Sequence, residues 1–161
     1  MPATYEPIAT TTLGSAASST TFSSIAATYT DLVLVIAPIG SGDAQVNLRF
    51  NSDTASNYSY TILAGNGTSA ISDRASTTFI GTDYYFSVTT AGGVIQANIM
   101  NYSNTTTFKT ALMRAGNAGK GTNANVGLWR NTAAINSITI TATNNTFATG
   151  SVFTLYGIKA A

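Results

Sequence analysis

Apolar and polar residues alternate with a period of two along most of this chain. The clearest case is residues 44–51, where Val46, Leu48 and Phe50 occupy alternate positions. Because successive side chains of a strand point to opposite faces, this pattern predicts a strand with one buried face. Residues 31–37 are apolar almost throughout, which predicts a strand buried on both faces. The pattern predicts ten strands in all, at residues 31–37, 44–51, 57–63, 76–80, 84–90, 94–102, 107–114, 124–130, 136–143 and 151–158.

Short segments rich in Gly, Asn, Asp and Ser separate the predicted strands, as at residues 40–43 and 65–67. These residue types adopt the backbone conformations that tight turns require. No run of ten residues has the periodicity and caps of a helix, although residues 69–75 are compatible with a short helical turn. Many short strands with frequent turns are typical of sandwiches, so we predict an all-β, two-sheet β-sandwich. Length and strand number favour a jelly roll, and other Greek-key sandwiches stay open.

Residues 1–30 follow a different pattern. They are rich in Thr, Ser and Ala, and their hydrophobic residues are sparse. We interpret this segment as an N-terminal arm with one or two edge strands. Residues 31–161 are then the β-sandwich, or jelly-roll, domain, and the whole chain of 161 residues is long enough to bury a sizeable core.

The composition narrows the possible functions. Only 8% of the residues are charged, whereas Thr, Ser and Asn number 28, 16 and 14. The chain has no His and no Cys, which excludes Ser-His or Cys-His catalytic pairs, zinc fingers and disulfides. A net charge of +1 argues against nucleic acid as a partner. The longest apolar run, residues 32–39, is too short to span a membrane as a helix.

Three polar motifs have a superficial likeness to functional sites, and a structural interpretation is favoured for each. The Gly-rich residues 116–122 lack the Gly-Lys-Ser/Thr order of a phosphate-binding loop, so we predict a surface loop. Lys120 and Arg114, in and beside that loop, are available to an acidic partner surface. The oxygens in the NSDTASN segment, residues 51–57, lack the Gly and Glu of a calcium loop, so we predict a turn. The carboxylates could in principle form a hydrolytic pair, but most of them sit in polar, turn-like contexts, so we expect no enzyme activity, no metal and no cofactor.

The aromatic residues are candidates for a contact surface. Tyr84, Tyr85 and Phe86 are consecutive, so at least one of their rings should face outward if they lie in a strand. Exposed Tyr and Trp mark interfaces or carbohydrate contacts. We therefore take Tyr84, Tyr85 and Trp129 as candidate contacts, with Arg130 at an interface rim. The competing interpretation is a ring of aromatic residues that covers the edge of the core.

Two stretches resemble a known class of proteins. Residues 4–36, beginning TYEPIATTTLGS, and residues 150–161, GSVFTLYGIKAA, are similar to the first and last parts of small structural β-domains in the virions of tailed bacteriophages. The resemblance covers about 45 residues. It implies a capsid cement or decoration protein that binds across major capsid protein subunits. Such a protein is expected to form a homo-oligomer, by family expectation a trimer. It is made in the host cytoplasm and lies on the capsid surface. The alternative is a tail fibre, spike or appendage domain that binds host glycans through Tyr58, Tyr84, Tyr85 or Trp129.

Under the cement interpretation the N-terminal arm grips a neighbouring subunit. We predict that Tyr5, Pro7, Ile8 and Leu13 anchor it. Residues 1–80 carry a net charge of −3 and residues 81–161 a net charge of +4, which predicts head-to-tail complementarity between adjacent copies.

Overall fold

The computed structural model describes residues 4–82 and 88–159, and all regular structure in these ranges is β. No helix in the described part is long and apolar enough to cross a membrane. The strands, numbered in chain order, are β1 Tyr5–Thr12, β2 Ser19–Phe22, β3 Asp31–Ala37, β4 Gln45–Phe50, β5 Tyr58–Gly65, β6 Ala70–Thr77, β7 Ile80–Gly81, β8 Val94–Met100, β9 Lys109–Asn117, β10 Gly121–Trp129, β11 Ile138–Thr143 and β12 Val152–Ile158.

The strands form two antiparallel sheets of unequal size. The long sheet has the order β1-β12-β3-β8-β9-β10-β5-β6, and the short sheet has the order β2-β11-β4-β7. The prediction of an all-β, two-sheet β-sandwich is confirmed. Eight strands form the orders β1-β12-β3-β8 and β2-β11-β4-β7, in which β12 and β11 lie between strands from the start of the chain, and this order is compatible with two Greek keys. The jelly roll stays a prediction, and the strand pairs β5–β6 and β9–β10 are additions that extend the long sheet.

The core lies between the two sheets, where the alternating positions predicted it. Strand β4 buries Val46, Leu48 and Phe50 from the short sheet. Strand β3 contributes Leu32 and Leu34 from the long sheet, and all five side chains are fully buried. Period-two patterning therefore identifies the inward faces of these strands correctly.

Two predicted elements differ from the structure. Residues 69–75 lie in strand β6 instead of a helical turn, because each residue of Ala70–Thr77 pairs with a residue of β5 across the 66–69 turn. The strand predicted at residues 76–80 is divided between the end of β6 and the two-residue strand β7. Most of the strand predicted at residues 84–90 falls outside the described residues, and Val88 forms a bridge with Ala44.

Residues 4–30 contribute an edge strand to each sheet. Strand β1 pairs with β12 at the edge of the long sheet, with an irregularity between Pro7 and Ala9, and β2 pairs with β11 at the edge of the short sheet. The amide of Leu13 donates to the carbonyl of Ser151 at 3.0 Å. Strands β1 and β2 therefore lie at sheet edges, residues 4–30 run along the body, and the N-terminal arm stays a prediction.

Among the described residues, two ion pairs connect the acidic and basic halves of the chain. Lys120 Nζ lies 2.9 Å from Asp43 Oδ2, and Lys159 Nζ lies 2.9 Å from Glu6 Oε1. Both pairs are at the surface, where such contacts contribute about 0–1 kcal/mol. Part of the charge complementarity predicted between copies is thus satisfied within one chain.

Gly127 offers a test of the packing between β10 and β7. A Cβ at this position would lie 2.4 Å from Cγ2 of the buried Ile80. We expect Gly127→Ala to lower the free energy of unfolding by about 1–3 kcal/mol because the core must shift. Gly14→Ala is the matched control, since an added Cβ there meets nothing within 4 Å. Urea unfolding of both variants measures the difference, and equal stabilities would contradict this account of the packing.

Candidate functional site

Trp129 is a core residue, which corrects its assignment as a surface contact. The side chain is 1% exposed. Its ring stacks on Tyr58 at 6.2 Å and meets Phe50 edge-on at 5.7 Å. Trp129 ends β10 on the side that faces the short sheet, so the strand's alternation directs the ring inward. Tyr58 is also fully buried, and its burial raises the pKa of the phenol to about 12.

Asp53 fastens this aromatic cluster to the turn between β4 and β5. Its Oδ2 accepts hydrogen bonds from Trp129 Nε1 at 2.7 Å and from Asn57 Nδ2 at 2.9 Å, and its Oδ1 accepts one from the amide of Ala55 at 2.9 Å. Burial on its own would raise the pKa of the Asp53 carboxyl, but these three hydrogen bonds outweigh it and hold the pKa below its ordinary value. The carboxylate therefore links the turn between β4 and β5 to the indole ring of Trp129.

Hydrogen bonds within the protein also engage the side chains of residues 51–57, the segment that has a likeness to a calcium loop. Asn51 Nδ2 donates to the carbonyl of Ala134, and Asn51 Oδ1 accepts from the amide of Asn136 at 2.8 Å. Asn57 donates to Asp53, so these side chains connect turns. The prediction of a turn is confirmed. Within the described residues, no three His, Cys, Asp or Glu side chains are grouped closely enough to hold a metal ion.

Lys109 is a buried lysine that the sequence pattern does not reveal. Its side chain is fully buried at the start of β9. Nζ donates to the carbonyls of Thr107 at 2.7 Å and Thr132 at 3.1 Å, so it connects two loops. Burial lowers the pKa of its ammonium group. Because backbone carbonyls occupy two of its donors, we assign it a structural role.

The Gly-rich segment is the hairpin turn between β9 and β10. The amide of Lys120 donates to the carbonyl of Asn117 at 2.9 Å, and the two strands then pair along their whole length. The prediction of a surface loop is confirmed. Lys120 itself is engaged by Asp43, whereas Arg114 lies on the outer side of the sheet.

The outer side of the long sheet carries an exposed apolar surface. We call it the outward face and define it by the outward-pointing positions of β5, β6, β8, β9 and β10. Leu63, Leu112 and Val126 are 61%, 49% and 43% exposed and lie on neighbouring strands. Leu112 is directly opposite Val126 in the register. Such clustered exposure of aliphatic side chains is typical of a surface that another molecule covers.

The outward face is indented as well as apolar. A depression of about 470 Å³ is lined by Thr61, Leu63, Asn98, Leu112, Met113, Arg114, Ala124, Asn125 and Val126. A second depression of about 290 Å³ adjoins it and is bordered by Arg74 and Leu128. The two share Thr61 and Val126, so they form one continuous surface.

The edges of the long sheet are less available than its face. On β6, the amide of Arg74 donates to Asp73 Oδ1 at 2.7 Å, so a side chain occupies one donor of the open edge. On β1, Pro7 has no amide hydrogen, and the irregularity beside it interrupts the ladder. Charges, prolines and bulges on edges oppose the addition of further strands. These features favour the outward face over the edges as a site of contact.

The contact residues that the sequence predicted lie in several different parts of the structure. Tyr5 is 55% exposed on β1 and lies edge-on to Tyr156, and Pro7 is exposed beside it. Ile8 and Leu13 are half-buried and pack against the chain's own core. Arg130 is exposed, and its Nη2 donates to Ser59 Oγ at 2.8 Å. Tyr84 and Tyr85 lie outside the described residues.

Sequence reasoning missed the apolar residues of the outward face. Leu63, Leu112 and Val126 belong to strands that were predicted, and their alternate positions were visible. Alternation does not tell which face a second sheet covers, however. The signal that was available is that both faces of residues 107–114 and 124–130 carry apolar side chains.

Comparisons with known proteins assign this chain to no family. No protein-family model matches it, and no curated protein matches it either. Among solved structures, there is a weak likeness to the crystal structure of Scytalido-glutamic peptidase with a peptide-based transition state analog, at 10% identity and a TM-score of 0.28. The likeness covers 91% of this chain but 64% of that peptidase chain. At this TM-score it carries no inference about fold or chemistry.

Acid titration tests the role of Asp53. Since the pKa of its carboxyl is lower in the folded state than in the unfolded state, the group stabilises the fold above the unfolded-state pKa of about 3.9, and this stability is lost as the pH falls through the folded pKa. We expect Asp53→Asn to lower the free energy of unfolding by about 1–2 kcal/mol at pH 7, because hydrogen bonds to a charged acceptor are lost. We also expect its stability to fall less steeply below pH 4 than that of the wild type.

The fluorescence of Trp129, the one tryptophan of the chain, reports this unfolding directly. Asp73→Asn is the matched control, since it removes one carboxylate at the exposed edge of β6. If Asp53→Asn and the wild type lose stability in parallel between pH 5 and pH 2, another group is the source of the acid sensitivity.

Proposed function

We propose that this chain is a structural protein of a bacteriophage virion, a capsid cement or decoration protein that binds across subunits of the major capsid protein. The observation that supports it best is the outward face, where Leu63, Leu112 and Val126 remain exposed on a rigid sheet. An exposed aliphatic surface of this kind is stabilised when a neighbouring protein covers it. The resemblance of residues 4–36 and 150–161 to virion β-domains is the reason for proposing a bacteriophage particle.

The proposed mechanism is the burial of apolar surface at many equivalent sites. Each copy covers a junction between capsid subunits and removes aliphatic side chains from water, at roughly 25 cal/mol for each Å² of apolar surface buried. The low charge of the chain keeps the cost of drying its surface small, because Thr, Ser and Asn lose less on desolvation than charged groups do. Repetition over a shell makes weak individual contacts collectively strong. A homo-oligomer, with a trimer favoured, increases this effect.

The alternative, a fibre or appendage domain that binds glycans, has less support among the described residues. Two of its four aromatic residues, Tyr58 and Trp129, are buried. The outward positions of β5, β6, β8, β9 and β10 hold no aromatic ring on which a sugar would stack. Tyr84 and Tyr85 are the residues on which this alternative now depends.

A reconstitution experiment tests the proposal. We expect the purified chain to bind shells that are assembled from the major capsid protein alone, to saturate at a fixed number of copies per capsid subunit, and to raise the temperature at which the shells rupture. Electron microscopy counts the copies, and differential scanning calorimetry measures the rupture. Purified tails from the same particle are the control. Saturable binding to tails instead would favour the appendage alternative, and binding to neither would contradict both.

The attachment role of the N-terminal segment needs a substitution. Removal of residues 1–14 would delete β1 and uncover β12, so it would test stability together with attachment. Tyr5→Ser changes an exposed ring and leaves the strand pairing in place. If Tyr5 contacts a neighbour, this variant should bind shells more weakly while its melting temperature stays near that of the wild type.

A further inference from the structure

Arg114 is the central charge of the outward face. Its cross-strand neighbours are Gln96 on β8 and Ala124 on β10, and its side chain lines the 470 Å³ depression beside Leu63 and Leu112. No hydrogen bond or ion pair engages its guanidinium group within residues 4–82 and 88–159. A guanidinium group among aliphatic side chains is weakly hydrated and presents its donors in a fixed plane, which suits a carboxylate.

Two further arginines lie on or beside the same surface. Arg74 is the outward residue opposite Thr61 and borders the second depression. Three strand spacings, roughly 14 Å, separate the strand of Arg74 from the strand of Arg114. Arg130 reaches the end of the face, where it donates to Ser59.

The outward face carries no negative charge to match these arginines. The outward positions of its five strands include no Asp or Glu, because Asp73 is at an alternate position of β6. Two other carboxylates are already engaged within the chain, Glu6 with Lys159 and Asp43 with Lys120. The surface is therefore both apolar and positively charged.

This charge distribution distinguishes between possible occupants. If two copies of the chain met through their outward faces, Arg74 and Arg114 would be buried against like charges, and unpaired buried charges are costly. A neutral glycan would find aliphatic side chains at the outward positions of these strands, with the exposed ring of Phe108 only beyond the start of β9. A protein surface that carries carboxylates between apolar side chains complements the face in both charge and polarity.

We infer that the outward face is the docking surface of this chain for an acidic, apolar surface of another protein, and that Arg114 pairs with a carboxylate of that partner at the centre of the contact. Leu63, Leu112 and Val126 surround this pair and exclude water from it. The inference rests on the proposed function, which supplies the major capsid protein as the partner, and it adds which face docks and what chemistry the partner presents.

The experiment compares three proteins with the wild type. Arg114→Gln removes the central charge, and Leu63→Ser/Leu112→Ser removes apolar surface from its surroundings. Lys159→Gln is the matched control, since it removes one positive charge beside β1, at the opposite edge of the long sheet. Melting temperatures verify that all four proteins are folded, which we expect because the changed side chains are exposed.

Two probes are used with each protein. The first is a shell assembled from the major capsid protein alone. The second is a soluble peptide of alternating Leu and Glu, with a peptide of alternating Leu and Lys as its charge-reversed counterpart. Chemical shift changes of the Leu and Val methyl groups, measured by NMR, locate where the peptide binds.

We expect Arg114→Gln and the double Leu variant to weaken binding to both probes by roughly tenfold or more, as at an interface hot spot. Lys159→Gln should change binding of the Leu-Glu peptide less than about twofold, because this charge lies outside the outward face. The Leu-Glu peptide should shift the methyl groups of Leu63, Leu112 and Val126, and the Leu-Lys peptide should not.

The outcomes separate this inference from the proposed function. If the wild type binds shells and the two face variants bind them equally well, the inference is wrong and the proposed function stands. If the wild type does not bind shells but binds the Leu-Glu peptide through Arg114, the proposed function is wrong and the docking surface stands. Peptide binding elsewhere on the chain, or equal binding of both peptides, also overturns the inference.

Discussion

The architecture depends on the last two strands being inserted between strands from the first third of the chain. Strand β12 lies between β1 and β3 and pairs with each along seven residues, and β11 lies between β2 and β4. The residues that pair in this way are separated by 88 positions or more in sequence. Without β12 the strand β1 has no neighbour and the core side chains of β3 lose half of their lateral support. Both sheets are therefore complete only when the two ends of the described chain meet.

The unequal sizes of the sheets explain why the exposed outer surface of the long sheet is broad. Strands β5, β6, β9 and β10 all join the long sheet, so it extends well beyond the four strands that pack on its inner side. Trp129 and Asp53 close the inner side where β10 and β5 meet the short sheet. The outer side has no covering layer among the described residues. A scarcity of charge, 8% of the chain, leaves this surface aliphatic and hydroxylated, with arginine as its main charged residue.

The parts of the fold that the sequence predicts correctly are those that local residue patterns encode. Strands β3 and β12 lie close to their predicted limits, because uninterrupted or alternating apolar residues are a local signal. Residues 69–75 were misjudged since the strand character of β6 comes from pairing with β5, and Asp73 and Arg74 give no strand signal of their own. Trp129 was taken for a surface residue because its hydrogen-bond acceptor, Asp53, lies 76 positions earlier. The outward face was missed for a related reason, since its exposure depends on which face of β5, β9 and β10 is turned towards the core.

The position of β12 also has a consequence for synthesis of the protein. A ribosome releases β3 about 115 residues before β12, which at typical elongation rates of 5–20 residues per second leaves the strand unmatched on that side for roughly 5–25 s. During that time the nascent chain exposes an apolar strand, Asp31–Ala37, whose edge is open to other nascent chains. Non-local pairing of this kind is also slow to form after release. Efficient production of this protein therefore depends on the cell's capacity to keep β3 from aggregating until the closing strand arrives.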